Sequence, residues 1–122
     1  MAGAPGDGGG GPIASAFVFA SDLADEGIGT VLANLQERAG LDGLMPAFTY
    51  HAARDIFPHN PRRKLAFLDQ GEHFFQPDSS LYDGQRIQPR VNALGLDGDV
   101  LGETCARARE RGMCVRAWTV FL

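Results

Sequence analysis

A cluster of polar and ionisable residues follows a short apolar segment in the middle of the chain. The apolar segment covers residues 44–50, and His51, Arg54, Asp55, His59 and Asn60 come soon after it. Imidazole and carboxylate groups can transfer protons, whereas guanidinium and amide groups can hydrogen-bond a polar ligand. In parallel α/β proteins such groups gather after strands, because the carboxyl ends of the strands carry the site. The cluster therefore predicts a site after the second strand, without naming a reaction.

Most of these side chains also have a structural interpretation, which the sequence leaves open. His51 either bonds a backbone carbonyl at the strand end, contacts a ligand or binds a metal. Asp55 either pairs with Arg54 or another arginine, caps a turn, or has a catalytic or ligand-binding role. The basic run 62–64 is either a solvated loop or a contact for an anion such as a phosphate or sugar acid.

Four residues of this region have side chains that suit a metal such as zinc or manganese. These are His51, Asp55, His59 and His73. Their spacing matches no metal-binding motif known to us, so the sequence predicts neither a metal site nor another cofactor.

The composition is that of one small globular domain. The chain has 122 residues, of which 44% are hydrophobic and 21% charged, with a net charge of −4. This acidic balance argues against a nucleic-acid-binding module, which usually has a basic excess. There is neither an apolar run of the roughly 20 residues that a membrane helix needs nor a signal-peptide pattern, so we expect a cytoplasmic protein.

The chain begins with a Gly-rich segment, 1–12, which is expected to be a disordered leader. The domain then covers 13–122. Cys105 and Cys114 lack CxxC spacing and lie in different predicted elements, so we expect two buried free thiols.

The apolar pattern predicts the order β-α-β-long loop-α-β. The elements are a strand at 13–20, a helix capped by Ser21 or Asp22 and ending at Gly40, a strand at 44–50, a helix at 98–111 and a strand at 113–122. Pro46 is expected at a bulge or a sheet edge, because proline cannot donate to the ladder. Right-handed crossovers would make all the strands parallel, as in the first three strands of an incomplete (β/α)8 barrel. The alternative is a complete small α/β domain that closes by oligomerising.

The connection from 51 to 96 is too long for an ordinary loop. It contains Phe57, Phe67, Phe74, Phe75 and Tyr82, which are unexpected in a solvated linker. We therefore expect this insertion to fold over the end of the sheet or over a ligand.

Several motifs together resemble a known group of proteins. They are FTYHAARD, FPHNP and FFQPDSSLYDGQRIQP, followed by a helix that ends in RERGM and the strand CVRAWTVFL. These segments resemble the N-terminal part of bacterial glycoside-hydrolase-like (β/α)8-barrel proteins, over residues 13–122.

The resemblance implies a carbohydrate ligand in a cleft at the carboxyl ends of the strands. It places His51, Arg54 and Asp55 at the rim of that cleft. His59 and Asn60 would lie in the loop that covers the cleft, and Trp118 on the third strand. For Trp118 the alternatives are a core position and a platform on which a sugar stacks.

Asp55 is the one carboxylate that the sequence places well for catalysis. A glycosidase needs two carboxyl groups about 5–10 Å apart, and in many barrel glycosidases they come from later strands. We therefore expect a carbohydrate-binding or carbohydrate-processing unit that is inactive as this chain. One alternative is a complete, non-catalytic binding or interaction module whose open sheet is covered by a second copy or a partner chain. Another is a metal-dependent sugar isomerase-like barrel fragment that binds metal through His51 and its neighbours.

Overall fold

A computed structural model describes residues 13–96 and 98–120. The predicted leader and the last two residues of the predicted third strand lie outside the described residues. In chain order the elements are β1 (Ser15–Val18), α1 (Ala20–Glu26), α2 (Ile28–Ala33), a π-helix (Asn34–Arg38), β2 (Gly43–Tyr50), β3 (Ala53–Ile56), β4 (Leu65–Leu68), β5 (Glu72–His73), a 3₁₀ helix (Ser79–Tyr82), α3 (Ala93–Leu96), α4 (Val100–Glu110), β6 (Cys114–Val115) and β7 (Trp118–Thr119).

The main sheet is built around β2. β1, β6 and β7 all pair with β2 in parallel, and β5 pairs with its end in antiparallel orientation. Thr49 faces both His73 of β5 and Thr119 of β7, so these two strands lie on opposite edges of β2. The predicted mixed α/β fold with a parallel sheet is confirmed for the described residues.

Pro46 lies in the central strand and not at a sheet edge, and an irregularity in the pairing of β2 with β7 follows it, between Ala47 and Thr49. The Arg116 N–H donates to the Leu44 carbonyl at 3.1 Å. In a regular parallel ladder the residue two positions after Leu44 would return a bond to the Arg116 carbonyl, but that residue is Pro46, which has no N–H. The missing donor explains why the predicted continuous third strand is divided into β6 and β7.

The helices α1, α2 and α4 pack against one another, and α1 and α4 also pack on β2. Buried apolar side chains between the helices and the sheet form the core, among them Val18, Leu23, Leu32, Leu44 and Leu101. This arrangement follows from the apolar faces of the helices, which need the sheet to exclude water. In the part of the chain that the structure describes, no helix combines the length and apolar character needed to cross a membrane.

The first helical region differs from its prediction. α1 already begins at Ala20, so Ser21 and Asp22 lie inside the helix and do not cap it. Gly27, at φ 93°, then separates α1 from α2. The predicted end is confirmed, because Gly40 follows the π-helix with φ 66°. α4 is also confirmed, with the Asp99 side chain accepting a hydrogen bond from the Gly102 N–H.

The long connection folds over the carboxyl edge of the sheet. Phe74 and Leu94 join the core, and Phe57 is buried against Phe19. The first part of the connection forms an antiparallel hairpin of β3 and β4. Phe67 of this hairpin is exposed, so the aromatic residues of the connection serve different roles. Cys105 and Cys114 are free, as predicted, but half-buried.

Candidate functional site

Aromatic rings gather on the face of the sheet that the helices leave open and continue onto its carboxyl edge. We call Phe17, Phe19, Tyr50 and Trp118 the aromatic cluster. The Trp118 ring lies 5.0 Å from Phe17, 5.4 Å from Phe19 and 5.7 Å from Tyr50 between centroids, in edge-to-face arrangements. Such arrangements stabilise aromatic pairs beyond the area that they bury. The cluster is a preformed apolar surface beside the strand ends.

Strand alternation places Phe17, Phe19 and Trp118 on the open face, whereas Tyr50, at the end of β2, also packs against the core. Val18 packs in the core under the helices, so Phe17 and Phe19 on either side of it point the other way. Trp118 pairs with Ala47 of β2. The small Ala47 side chain lets the Phe17 and Trp118 rings approach each other across the central strand. Phe17 remains 64% exposed.

His51 lies against the edge of this cluster. Its ring stacks on Tyr50 with centroids 4.5 Å apart and an interplanar angle of 21°. Its Nδ1 is 2.6 Å from the Ala52 carbonyl oxygen, so Nδ1 carries the proton and donates it there. His51 therefore makes the backbone contact that the sequence left open, while Nε2 can accept a hydrogen bond.

Asp55 lies on the inner face of the β3–β4 hairpin and lines a cavity of about 60 Å³ with Tyr50, Ser21 and Arg63. Its carboxylate makes no hydrogen bond or ion pair with another described side chain. Burial, followed by the nearby Asp55 charge, raises the pKa of Tyr50 above its usual value. The cavity has room for a few water molecules but not for a sugar ring.

Arg54 lies on the opposite face of the hairpin from Asp55, because neighbouring strand residues point in opposite directions. It forms an ion pair with Asp69 at 3.2 Å and lies over the Phe67 ring at 5.3 Å. The structure therefore does not bring Arg54 and Asp55 together as a pair.

The loop between β3 and β4 is anchored on α1 through buried polar groups. Asn60 is completely buried, and its Nδ2 donates to Asp22 Oδ1 at 2.8 Å. Its Oδ1 accepts hydrogen bonds from the backbone N–H groups of Arg62 and Arg63. His59 Nε2 lies 3.1 Å from Asp22 Oδ2. All of these Asn60 contacts stabilise the fold. His59, in contrast, is more than half exposed and lies next to a buried carboxylate.

The basic run 62–64 provides a second contact between the loop and α1. Arg63 Nε donates to Asp25 Oδ2 at 2.7 Å, and the Asp25 side chain is only 3% exposed. Lys64 donates to the Pro58 carbonyl at 2.7 Å. Two of the three basic residues therefore hold the loop in place.

One group of potential metal ligands was not predicted from the sequence. Ligand atoms of Asp22, Glu26 and His59 all lie within 4.8 Å of one another. Among the described residues, neither His51, Asp55 nor His73 belongs to such a group of three. The i, i+4 spacing of Asp22 and Glu26 was a usable signal, but the third member comes from a distant loop.

Comparisons of the chain with protein-family models, curated proteins and solved structures found no match. Function is therefore inferred from the chemistry of the site.

Proposed function

We propose that this protein binds carbohydrate through the aromatic cluster at the carboxyl edge of its parallel sheet. The observation that carries the proposal is the exposed Phe17 ring beside Trp118, on the face of the sheet opposite the described helices. A sugar ring presents an apolar C–H face and a rim of hydroxyl groups. Aromatic rings suit the face, and polar side chains such as His51 at the edge of the cluster suit the hydroxyl groups.

The arrangement of the strands supports a barrel-type architecture for this site. β1, β2 and the β6–β7 strand are parallel and follow one another across the sheet in chain order, with the packed helices on one face. Successive βα units of a (β/α)8 barrel have this order, and their ligands bind at the carboxyl ends of the strands. The motifs that resemble barrel glycoside hydrolases agree with this location.

The proposed activity of the chain is binding, without hydrolysis. Asp55 is the only carboxylate among the described residues that line the cavity at the strand ends. Glycoside hydrolysis ordinarily needs a second carboxyl group across the scissile bond. Asp55 would therefore bind a hydroxyl group or an ordered water molecule.

The proposal can be tested by fluorescence, because Trp118 is the only tryptophan in the chain. We would titrate the full chain with a panel of α- and β-linked oligosaccharides and follow tryptophan emission. At least one saccharide should change the emission saturably, because it would cover Trp118. If none does, and calorimetry with the same panel detects no binding, the proposal is wrong.

A pair of matched variants locates the binding surface. Phe17 and Phe67 are 64% and 63% exposed, but Phe67 lies on the outer face of the hairpin. Phe17→Ser should weaken saccharide binding by roughly tenfold, the loss of about 1.4 kcal/mol of contact, whereas Phe67→Ser should leave it unchanged. Equal affinities of the two variants would place the ligand elsewhere.

A second function, self-association through the open face, is favoured by the same exposure of Phe17. Exposed aromatic surface of this kind also marks protein–protein contacts. Sedimentation velocity of the same two variants separates the functions. A wild-type dimer that Phe17→Ser dissociates and Phe67→Ser does not would support association.

A further inference from the structure

We infer that Asp22, Glu26 and His59 form a binding site for one divalent transition-metal ion such as Zn²⁺. The three residues offer two carboxylate oxygens and one imidazole nitrogen, a donor set that zinc commonly accepts. Their ligand atoms already lie within 4.8 Å of one another. This site goes beyond the proposed carbohydrate binding and uses none of the residues of the aromatic cluster.

The positions of the donors fit a common ion. Asp22 and Glu26 are four residues apart on α1, so their side chains lie on one side of the helix. Ligands about 2.0–2.1 Å from zinc in a tetrahedral site are themselves roughly 3.3 Å apart. The 3.1 Å between His59 Nε2 and Asp22 Oδ2 is close to this spacing. Glu26 makes no hydrogen bond or ion pair with another described side chain, so it can turn to complete the set.

The charge around Asp22 is the second argument for a cation. Asp22 is only 7% exposed, and buried carboxylates are normally paired or bound to a metal. Among the described residues no Lys or Arg lies within ion-pair distance of Asp22 or Glu26, and the nearby Arg63 is paired with Asp25. Among the described residues, the one basic side chain within ion-pair distance of Asp22 is His59. A divalent cation would balance both carboxylates.

The surroundings hold two of the donors in place. Asn60 donates to Asp22 Oδ1 and so leaves Oδ2, the oxygen next to His59, for an ion. Hydrogen bonds from the backbone N–H groups of Arg62 and Arg63 to Asn60 Oδ1 fix the loop that carries His59. An outer hydrogen bond that orients a ligating carboxylate is a usual part of protein metal sites.

Three protein ligands leave at least one position of a tetrahedral ion for water or another small ligand. Asp22 belongs to the first turn of α1, directly after β1, so this position is at the carboxyl edge of the sheet. The half-exposed state of Glu26 and the exposure of His59 give an ion access from solvent.

The test is calorimetric titration of the full chain with Zn²⁺ after treatment with a chelator, supported by the visible spectrum of added Co²⁺. We expect one ion per chain. Glu26→Gln and His59→Gln should each weaken binding by roughly tenfold or more, because loss of a ligand should cost at least as much as loss of an outer partner. The matched controls are Glu110→Gln at the exposed end of α4 and His51→Gln, neither of which should change the affinity.

Glu26→Gln decides the result if His59→Gln does not fold, because Glu26 has no described side-chain partner to lose. The inference is overturned if Zn²⁺ does not bind saturably, if Glu26→Gln binds it like the wild type, or if His51→Gln weakens it as much. Saccharide titration of the chelated protein is a separate measurement, so failure of the metal site would not imply failure of the carbohydrate proposal.

Discussion

Asn60 Nδ2 donates a 2.8 Å hydrogen bond to Asp22 Oδ1, and both side chains are buried. The two residues are 38 positions apart, so this bond joins the loop between β3 and β4 to the first turn of α1. The same loop carries His59, and its first residue is the buried Phe57. The contact therefore fixes the position of the loop at the carboxyl edge of the sheet.

Replacing Asn60 with Ala should destabilise the protein strongly. The change removes both bonds from backbone N–H groups and takes away the amide donor of the buried Asp22 carboxylate. We expect a loss of about 2–4 kcal/mol in the free energy of unfolding, measured by urea denaturation. The control is Asn34→Ala, because the Asn34 side chain makes no described hydrogen bond. This variant should lose less than about 1 kcal/mol in the free energy of unfolding. Similar losses in both variants would show that the Asn60 bonds contribute little.

The Arg63–Asp25 and Arg54–Asp69 ion pairs should differ in strength. Asp25 is 3% exposed in its side chain, whereas Arg54 and Asp69 are 62% and 76% exposed. Arg63→Met would leave a buried carboxylate uncompensated and should cost about 1–3 kcal/mol, while Arg54→Met should cost roughly 0–1 kcal/mol. Denaturation of the four single variants, Arg63→Met, Asp25→Asn, Arg54→Met and Asp69→Asn, and of the two matching double variants would give the coupling energies. A larger coupling in the exposed pair would contradict this interpretation.

The parts of the fold that the sequence predicts well are those coded by nearby residues. The apolar run 44–50 is β2 to within one residue, and the periodic segment capped by Asp99 is α4. The division of the third strand was not predicted, because it depends on Pro46, which belongs to a different strand.

The candidate site shows the same limit. The sequence places His51 and Asp55 after the second strand and Trp118 on the third, and the structure has His51 directly after β2, Asp55 in β3 of the hairpin and Trp118 in β7. It could not show that Asn60 serves Asp22, nor that Arg54 points away from Asp55, because both depend on how the 51–96 connection folds. Contacts between residues that are tens of positions apart leave no local pattern in the sequence.

Gly43→Ala should destabilise the central sheet. A Cβ atom at this position would lie 2.6 Å from the Cys114 carbonyl oxygen and 2.7 Å from Ser15 Oγ. The Cys114 backbone of β6 would have to shift and the Ser15 hydroxyl to rotate, at a cost of about 2–4 kcal/mol. Gly71→Ala is a suitable control, because its Cβ would meet the Tyr50 carbonyl oxygen at an ordinary 3.6 Å. Thermal denaturation of both variants would test this, and equal melting temperatures would contradict it.

The raised pKa of Tyr50 predicts a loss of stability in alkali. The folded protein holds the Tyr50 proton more tightly than the unfolded chain, whose tyrosine pKa is about 10. The stabilisation is therefore complete below about pH 10 and is lost as the pH rises through the higher folded pKa. Urea denaturation at a series of alkaline pH values should show a steeper fall for the wild type than for Tyr50→Phe. Parallel curves would show that Tyr50 does not contribute.

Asp55→Asn should lower the pKa of Tyr50 without returning it to the ordinary value. Burial is the larger cause of the raised pKa and would remain, whereas the neighbouring negative charge would be lost. The chain has two tyrosines, so the phenolate absorbance is best followed in a Tyr82→Phe background, where Tyr50 alone titrates. Asp69→Asn is the matched control, since that carboxylate is exposed and paired with Arg54. A Tyr50 pKa that responds to Asp69→Asn but not to Asp55→Asn would show that Asp55 does not face the cavity. A pKa lowered only by Asp55→Asn would confirm that its charge lies beside Tyr50, at the end of β2.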